Sequence, residues 1–357
     1  MQTVYFTPGP SQTHPRFSEF MNRALKERVP SISHRSKDFE AIFAGTAAKV
    51  REALVVPGEY SVFFVSSATE AWERFTQSVV HKSSHHFVNG AFSKGWFESA
   101  VKLGKKPTRT DAPEGFGFSG KVEIPSEAEI VAITHCETST GAFTSAEFIE
   151  SLREQSNDAL VAVDIVSTAP IVGFNFNKVD CAFFSVQKCC GLPAGLGVMI
   201  VSPRALERAK LLKEGAFTLG SYHDLCALAE FAAKNQTPCT PNVLGIYLLG
   251  EVLGDFLNIG ISQIQTRLLK RIESARAVLL RSALFTAQSP NEFQAPTVLV
   301  LKTSKPASEI RAKLLADGLA IGEGYGERKE RMIRVANFPS TGDQEFERVI
   351  LSLAKIT

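Results

Sequence analysis

Two short apolar runs each carry one charged residue, and that pattern limits the fold more than any other feature of the chain. Ala159-Leu-Val-Ala-Val-Asp164-Ile-Val-Ser167 holds a carboxylate among hydrophobes. Cys181-Ala-Phe-Phe-Ser-Val-Gln-Lys188 ends on an amine, just before the glycine-rich stretch Cys189–Gly197. Runs of this length and character read as buried strands, where a charged side chain is rare unless something pairs with it. One partner accounts for both charges: pyridoxal phosphate, with its aldehyde on the Lys188 amine and its pyridinium nitrogen on Asp164.

At 357 residues and 44% hydrophobic content, the chain is long enough for two domains and a sizeable core. The 39 basic and 37 acidic residues leave a net charge of +2, which points to neither a nucleic-acid nor a membrane partner. The first residues, Met1 to Pro10, lack the basic and apolar regions of a signal peptide, and no run reaches the length of a membrane span. A cytoplasmic protein is the expectation. The six cysteines show no paired C-x-x-C spacing, so reduced thiols are expected rather than disulfides or a metal site.

Apolar spacing predicts helices over 37–54, 70–80, 145–155, 308–319 and 343–355, and one or two long helices over 246–283 broken near 258–262. Short apolar runs at 60–65, 86–92, 129–135, 159–167, 181–186, 196–202, 297–301 and 332–338 read as strands. This alternation predicts an α/β large domain with a mostly parallel sheet, residues 1–250, and a small α+β C-terminal domain, residues 251–357. The first fifteen or so residues are expected to pack with the small domain. In such sheets, ligands gather beyond the carboxyl ends of the strands. Lys188, Asp164, Thr138 and the Ser66–Thr69 turn all fall at or just after such ends.

The Ser66–Thr69 turn joins a strand to a helix, so its free N–H groups could accept a phosphate, or Ser66 or Ser67 could simply cap the helix. Phe92 offers a flat face to a pyridine ring, or it is ordinary core. Thr138 could reach the cofactor's phenolic oxygen, or belong to a turn rich in Ser and Thr.

The ordered fragments Pro8-Gly-Pro10, Ile32-Ser-His-Arg35, Glu137-Thr-Ser-Thr-Gly141, Ser185-Val-Gln-Lys188, Thr240-Pro-Asn-Val-Leu-Gly-Ile-Tyr247 and Ile333-Arg-Val-Ala-Asn-Phe-Pro339 resemble the class V pyridoxal-phosphate enzymes of the aminotransferase fold along nearly the whole chain. Gln187 directly before the lysine, with His34-Arg35, favours the branch that handles phosphoserine. The resemblance implies that Lys188 carries the cofactor, Asp164 holds the pyridinium proton, Phe92 stacks on the ring and Thr138 meets the phenolic oxygen. It implies phosphate contacts from Ser67, Ala68, Thr69 and Gln187, and from Thr240 of a second subunit in a homodimer with shared sites. Arg334 would bind the substrate α-carboxylate. His34 and Arg35 of the partner subunit would read the substrate phosphate or the second carboxylate of glutamate, with Arg328 assisting. The reaction implied is transfer of an amino group from glutamate to 3-phosphohydroxypyruvate, giving O-phosphoserine for serine synthesis, and no metal is involved.

Three positions depart from that branch. Phe92 stands where tryptophan is usual, Cys239 where many members have asparagine, and Glu327 where better-known members have histidine. An alanine–glyoxylate or serine–pyruvate type of aminotransferase is therefore the rival within the family, and a cysteine desulfurase is disfavoured because nothing marks a mobile catalytic-cysteine loop. From another class comes an α/β protein that binds a phosphate ligand without catalysis, which leaves Lys188 and Asp164 unexplained.

Overall fold

The computed structural model describes residues 2–356; Met1 and Thr357, the outer limits of the two expected domains, lie outside the described residues. In chain order the strands are β1 (Val4–Phe6), β2 (Ser61–Val65), β3 (His85–Val88), β4 (Thr108–Asp111), β5 (Ile130–Thr134), β6 (Cys136–Glu137), β7 (Ala142–Phe143), β8 (Leu160–Asp164), β9 (Cys181–Ser185), β10 (Gly197–Val201), β11 (Phe285–Ala287), β12 (Val298–Thr303), β13 (Leu319–Glu323) and β14 (Met332–Ala336).

The large sheet has the order β2-β10-β9-β8-β5-β3-β4. Strands β9, β8, β5, β3 and β4 pair in parallel, while β10 runs antiparallel to both β9 and β2. Two reversals in succession leave β2 running with β9. The carboxyl ends of β2, β3, β5, β8 and β9 thus emerge on one edge, where ligands bind in open α/β sheets. The expected mostly parallel sheet is what forms, and β5, β8, β9 and β10 are buried at every position. Helices cover both faces, so these strands must be apolar on both sides and cannot alternate.

The second sheet has the order β1-β13-β14-β12-β11. Its first strand comes from the far end of the chain: β1 pairs in parallel with β13, Val4 against Leu319 and Phe6 against Ile321. Helices Ile261–Leu279, Ala307–Ala316 and Asp343–Ala354 cover it. The expected break in the long helical stretch falls at Gly260, where φ is +95° and the two helices bend by 81°. Along Ile261–Leu279, Ile264 and Leu268 join the core of the large sheet, and Ile272, Ala275 and Leu279 join that of the small one. No single helix among the described residues is long and apolar enough to cross a membrane.

Two expected elements shift. The run at 86–92 divides, because β3 ends at Val88 and a helix opens at Ala91, its first N–H groups taken by Ser139 and Glu137 side chains. The helix expected over 308–319 stops at Ala316; Gly318 turns the chain at φ +72°, and Leu319 opens β13.

Candidate active site

Asp164 is the last residue of β8 and sits level with Thr134 of β5. Burial pushes its carboxyl up to about 7, opposed by the Val166 N–H, which donates to Oδ1 at 2.8 Å, and by the charge of Lys188. Lys188 follows β9 by three residues and is only 7% exposed. Its Nζ donates to the hydroxyls of Thr138 and Ser167, each at 3.0 Å, and those two hydroxyls also hydrogen-bond each other. The amine lies 4.9 Å from the centre of the Phe92 ring. Burial lowers the Lys188 ammonium from its ordinary range, although the Asp164 charge works against it. A buried lysine shifted this way is readily the neutral amine that carbonyl chemistry needs.

These groups face one cavity of ≈ 90 Å³, lined also by Ala68, Thr69, Trp72, Thr134, Cys136, Ser185 and Gln187. Thr134 Oγ1 is buried there without a partner among the described residues. The helix Ala68–Val79 begins at its mouth. Ser67 Oγ caps this helix by accepting from Glu70 N at 3.0 Å, and Ala68 N donates to Ser185 Oγ at 2.8 Å. The close approach depends on Gly197, whose Cβ would meet the Ser67 carbonyl carbon at 2.6 Å. On the other side the Pro8–Pro10 turn lies against the lysine stem. Gly9 has φ +134°, and a Cβ there would come within 2.9 Å of Lys188 Cε.

The cavity fits pyridoxal phosphate on its own chemistry. An amine for the aldehyde, a carboxyl raised by burial, an orphaned hydroxyl and a helix start are what such a group satisfies. Ala68, Thr69, Phe92, Thr138, Asp164, Gln187 and Lys188 converge there.

Arg334, in the middle of β14, reaches toward the same loop. Its Nη1 donates to the Thr138 carbonyl at 3.2 Å and its Nε to the Glu323 carbonyl at 2.6 Å. Its guanidinium lies 5.6 Å from the Tyr325 ring, which in turn lies 5.6 Å from Phe92. Arg328 lies apart from the lysine cavity. It pairs with Glu114 at 2.5 Å on the wall of a neighbouring cleft of ≈ 770 Å³.

Neither His34 nor Arg35 lines the lysine cavity of its own chain. Arg35 donates to the carbonyls of Thr237 at 2.7 Å and Pro238 at 3.1 Å, so it braces the segment that carries Thr240. Thr240 is exposed and lines a second cavity with Ser66.

Three contributors escape a reading by strand ends. Ser167 is one of the two hydroxyls on the Lys188 amine. Glu137, fully buried, accepts from Ser93 N and Ser93 Oγ at 2.9 Å and so fixes the helix that presents Phe92. Trp72 lines the cavity from one turn inside its helix. Ser167 had the clearest sequence signal, lying three residues beyond Asp164 in the same run.

Residues 120–328 match the aminotransferase class-V family. The chain is 26% identical to the phosphoserine aminotransferase of Nocardioides sp., over 98% of this chain and 94% of that one. It is also 26% identical to the serine–glyoxylate aminotransferase of Methylorubrum extorquens, over 93% and 85%. The crystal structure of a phosphoserine aminotransferase from Cytophaga hutchinsonii matches with a TM-score of 0.97 at 39% identity, covering 99% of each chain.

Proposed function

The chain belongs to the class-V aminotransferases, enzymes that use pyridoxal phosphate to exchange amino groups between amino acids and 2-oxo acids, and from that premise we propose that it is a phosphoserine:2-oxoglutarate aminotransferase. Glutamate is the donor and 3-phosphohydroxypyruvate the acceptor, and the O-phosphoserine formed feeds serine synthesis in the cytoplasm. The observation that carries this reading is the 39% identity, along the full chain, to the Cytophaga hutchinsonii enzyme.

Pyridoxal phosphate, when bound, supplies an electron-withdrawing protonated ring that acidifies the Cα–H of an attached amino acid. Asp164 keeps that ring nitrogen protonated. With a cation beside it, the carboxyl no longer needs the proton that burial forces on it. Phe92 would stack against the ring, and Thr138 would hydrogen-bond its phenolic oxygen. Ser67, Ala68, Thr69 and Gln187 hold the phosphate, joined by Thr240 of the partner subunit. Lys188 Nζ, at the centre of this cavity, would be the general base that takes a proton from the substrate Cα and gives it back. The hydroxyls of Thr138 and Ser167 already hold Nζ in a fixed position, so little reorganisation is required.

Arg334 orients the α-carboxylate. His34 and Arg35 of the partner subunit read the distal phosphate or carboxylate, with Arg328 beside them. The contact of Arg35 with the Thr237–Pro238 backbone supports a homodimer, since both segments assigned to the neighbouring site lie on one surface.

A second reading is an alanine–glyoxylate or serine–pyruvate type of enzyme. It is favoured by the Arg328–Glu114 ion pair, which neutralises a cation that a distal phosphate would need. The absorption band of the lysine-bound cofactor, near ~400 nm, tests both readings. Its conversion by L-phosphoserine and not by L-serine or L-alanine is expected; the reverse selects the second reading.

A further inference from the structure

Glu137 is fully buried, and N–H and O–H groups, in place of a cation, reach its two oxygens. Oε1 accepts from Phe92 N at 3.3 Å, Ser139 N at 3.2 Å and Ser139 Oγ at 2.5 Å. Oε2 accepts from Ser93 N and Ser93 Oγ, each at 2.9 Å. Ser139 Oγ in turn accepts from Ala91 N at 2.9 Å. The opening N–H groups of the helix Ala91–Lys102 are thus capped from a distant part of the chain. The carboxylate also lies at the end of the helix that favours negative charge. Gly90 stands where the helix would carry its own cap and has no side chain to offer. A Cβ there would meet Glu137 Cγ at 2.3 Å and Ser139 Oγ at 2.5 Å, so the glycine makes room for the borrowed cap.

Thr138, between Glu137 and Ser139 in the chain, makes a different set of contacts. Its hydroxyl accepts from Lys188 Nζ at 3.0 Å, and its carbonyl accepts from Arg334 Nη1 at 3.2 Å. Three consecutive residues therefore hold three site groups: Glu137 and Ser139 the helix of Phe92, and Thr138 both the lysine and the arginine. The Lys188 amine lies 4.9 Å from the centre of the Phe92 ring, so the two ends of this link return to one cavity. Burial lowers both the Lys188 ammonium and the Arg334 guanidinium, and the Glu137 charge is among those that work against it in each case. A neutral amide cannot replace this carboxylate. Every group facing it is a donor, and glutamine would turn one of its two acceptors into another donor.

We propose that Glu137 is a positioning residue that sets the cofactor ring and the substrate-carboxylate arm from one buried point. Through Phe92 N and Ser93 it fixes the aromatic face, and through the Thr138–Ser139 turn it fixes Lys188 and Arg334. This rests on the assignment of Phe92 to the ring and of Arg334 to the α-carboxylate, and not on which amino acid is transaminated. Its consequence is a coupling. A change at Glu137 disturbs ring and carboxylate binding together, whereas a change at Phe92 or at Arg334 disturbs only its own half.

The test compares full-length Glu137→Gln, Ser139→Ala, Phe92→Leu and Arg334→Lys by two signals. The first is cofactor seating: the Kd for pyridoxal phosphate and the circular dichroism of the near-visible band, which an achiral ring acquires only in a fixed asymmetric setting. The second is KM for L-glutamate, or for L-alanine if that amino acid alone converts the band. Phe92→Leu should weaken the first signal, and Arg334→Lys should raise the second. Glu137→Gln should do both, with a loss of dichroism and a roughly tenfold or greater rise in Kd and in KM, the scale of a lost hydrogen bond to a charged group. Ser139→Ala should move both signals the same way by less, and it decides the matter should Glu137→Gln fail to fold. A variant that lowers only the urea midpoint, or moves one signal without the other, overturns the proposal. If Phe92→Leu and Arg334→Lys move their signals and Glu137→Gln moves neither, the reading of the site stands and the role of Glu137 alone falls. If all three leave them unmoved, both fall.

Discussion

The guanidinium of Arg334 donates to the carbonyl of Thr138 across 3.2 Å, while the hydroxyl of the same threonine holds the Lys188 amine. One residue thus links the small sheet to the lysine. Arg334→Lys keeps the charge but loses the fork that can bridge a carboxylate and a carbonyl together. We expect kcat/KM to fall by about 10- to 100-fold, mainly through KM for both the amino acid and the oxo acid. Steady-state kinetics with each substrate varied will check this, and an unchanged KM for both would count against a carboxylate role.

Lys188→Ala should remove the near ~400 nm band and lower turnover by roughly 10²–10⁴-fold or more, the range for a lost general base. Far-UV circular dichroism should be unchanged. Ser167→Ala removes one of two acceptors from the amine, so its effect should stay under about tenfold, in line with about 1 kcal/mol for one hydrogen bond. Single-turnover rates with L-glutamate separate the two variants.

Asp164 gives a pH dependence in the cofactor-free protein. An ordinary Asp titrates near ~3.9 when unfolded, whereas burial holds this one at about 7 in the fold. Between those values the folded chain keeps a proton that the unfolded chain releases. Its stability contribution is therefore complete below about pH 4 and is lost as pH rises through about 7. Lys188, shifted down by burial, acts in the opposite sense at higher pH. The urea midpoint should fall from pH 5 to pH 7.5 in the stripped wild type by more than it does in stripped Asp164→Asn. Parallel curves for the two proteins would contradict the burial argument.

Gly9→Ala places a methyl group 2.9 Å from Lys188 Cε at a backbone angle of φ +134° that L-residues rarely adopt. The expected cost is about 1–3 kcal/mol, read from denaturant midpoints. The near-visible band should also appear more slowly when pyridoxal phosphate is added to the stripped variant.

Much of this site is readable in the chain because a charge in a buried strand has few explanations. Asp164 and Lys188 stand out for that reason, and the carboxyl ends of β8 and β9 then bring them to one cavity. Edge strands are harder. β4 alternates partly buried and exposed positions and has no apolar run, and β1 and β11 are three residues each. β13 is hidden because Leu319 continues the helical spacing of the stretch before it, and only Gly318 marks the change. Ser167 and Glu137 belong to residue types that serve equally as turn formers and caps, so their roles emerge only when tertiary contacts are known. The position of Arg35 against Thr237 joins residues some two hundred positions apart, and no local pattern encodes it.

The pairing of Val4 with Leu319 means that the turn over the lysine stem hangs from a strand whose partner is made some three hundred residues later. During synthesis the large sheet can close long before β13 leaves the ribosome, with the lysine end of its cavity still uncovered. The Pro8–Pro10 turn is thus tethered from two sides, by Ser11 on the Gln187 and Lys188 carbonyls and by β1 on β13, and a copy that lacks β13 keeps only the first tether.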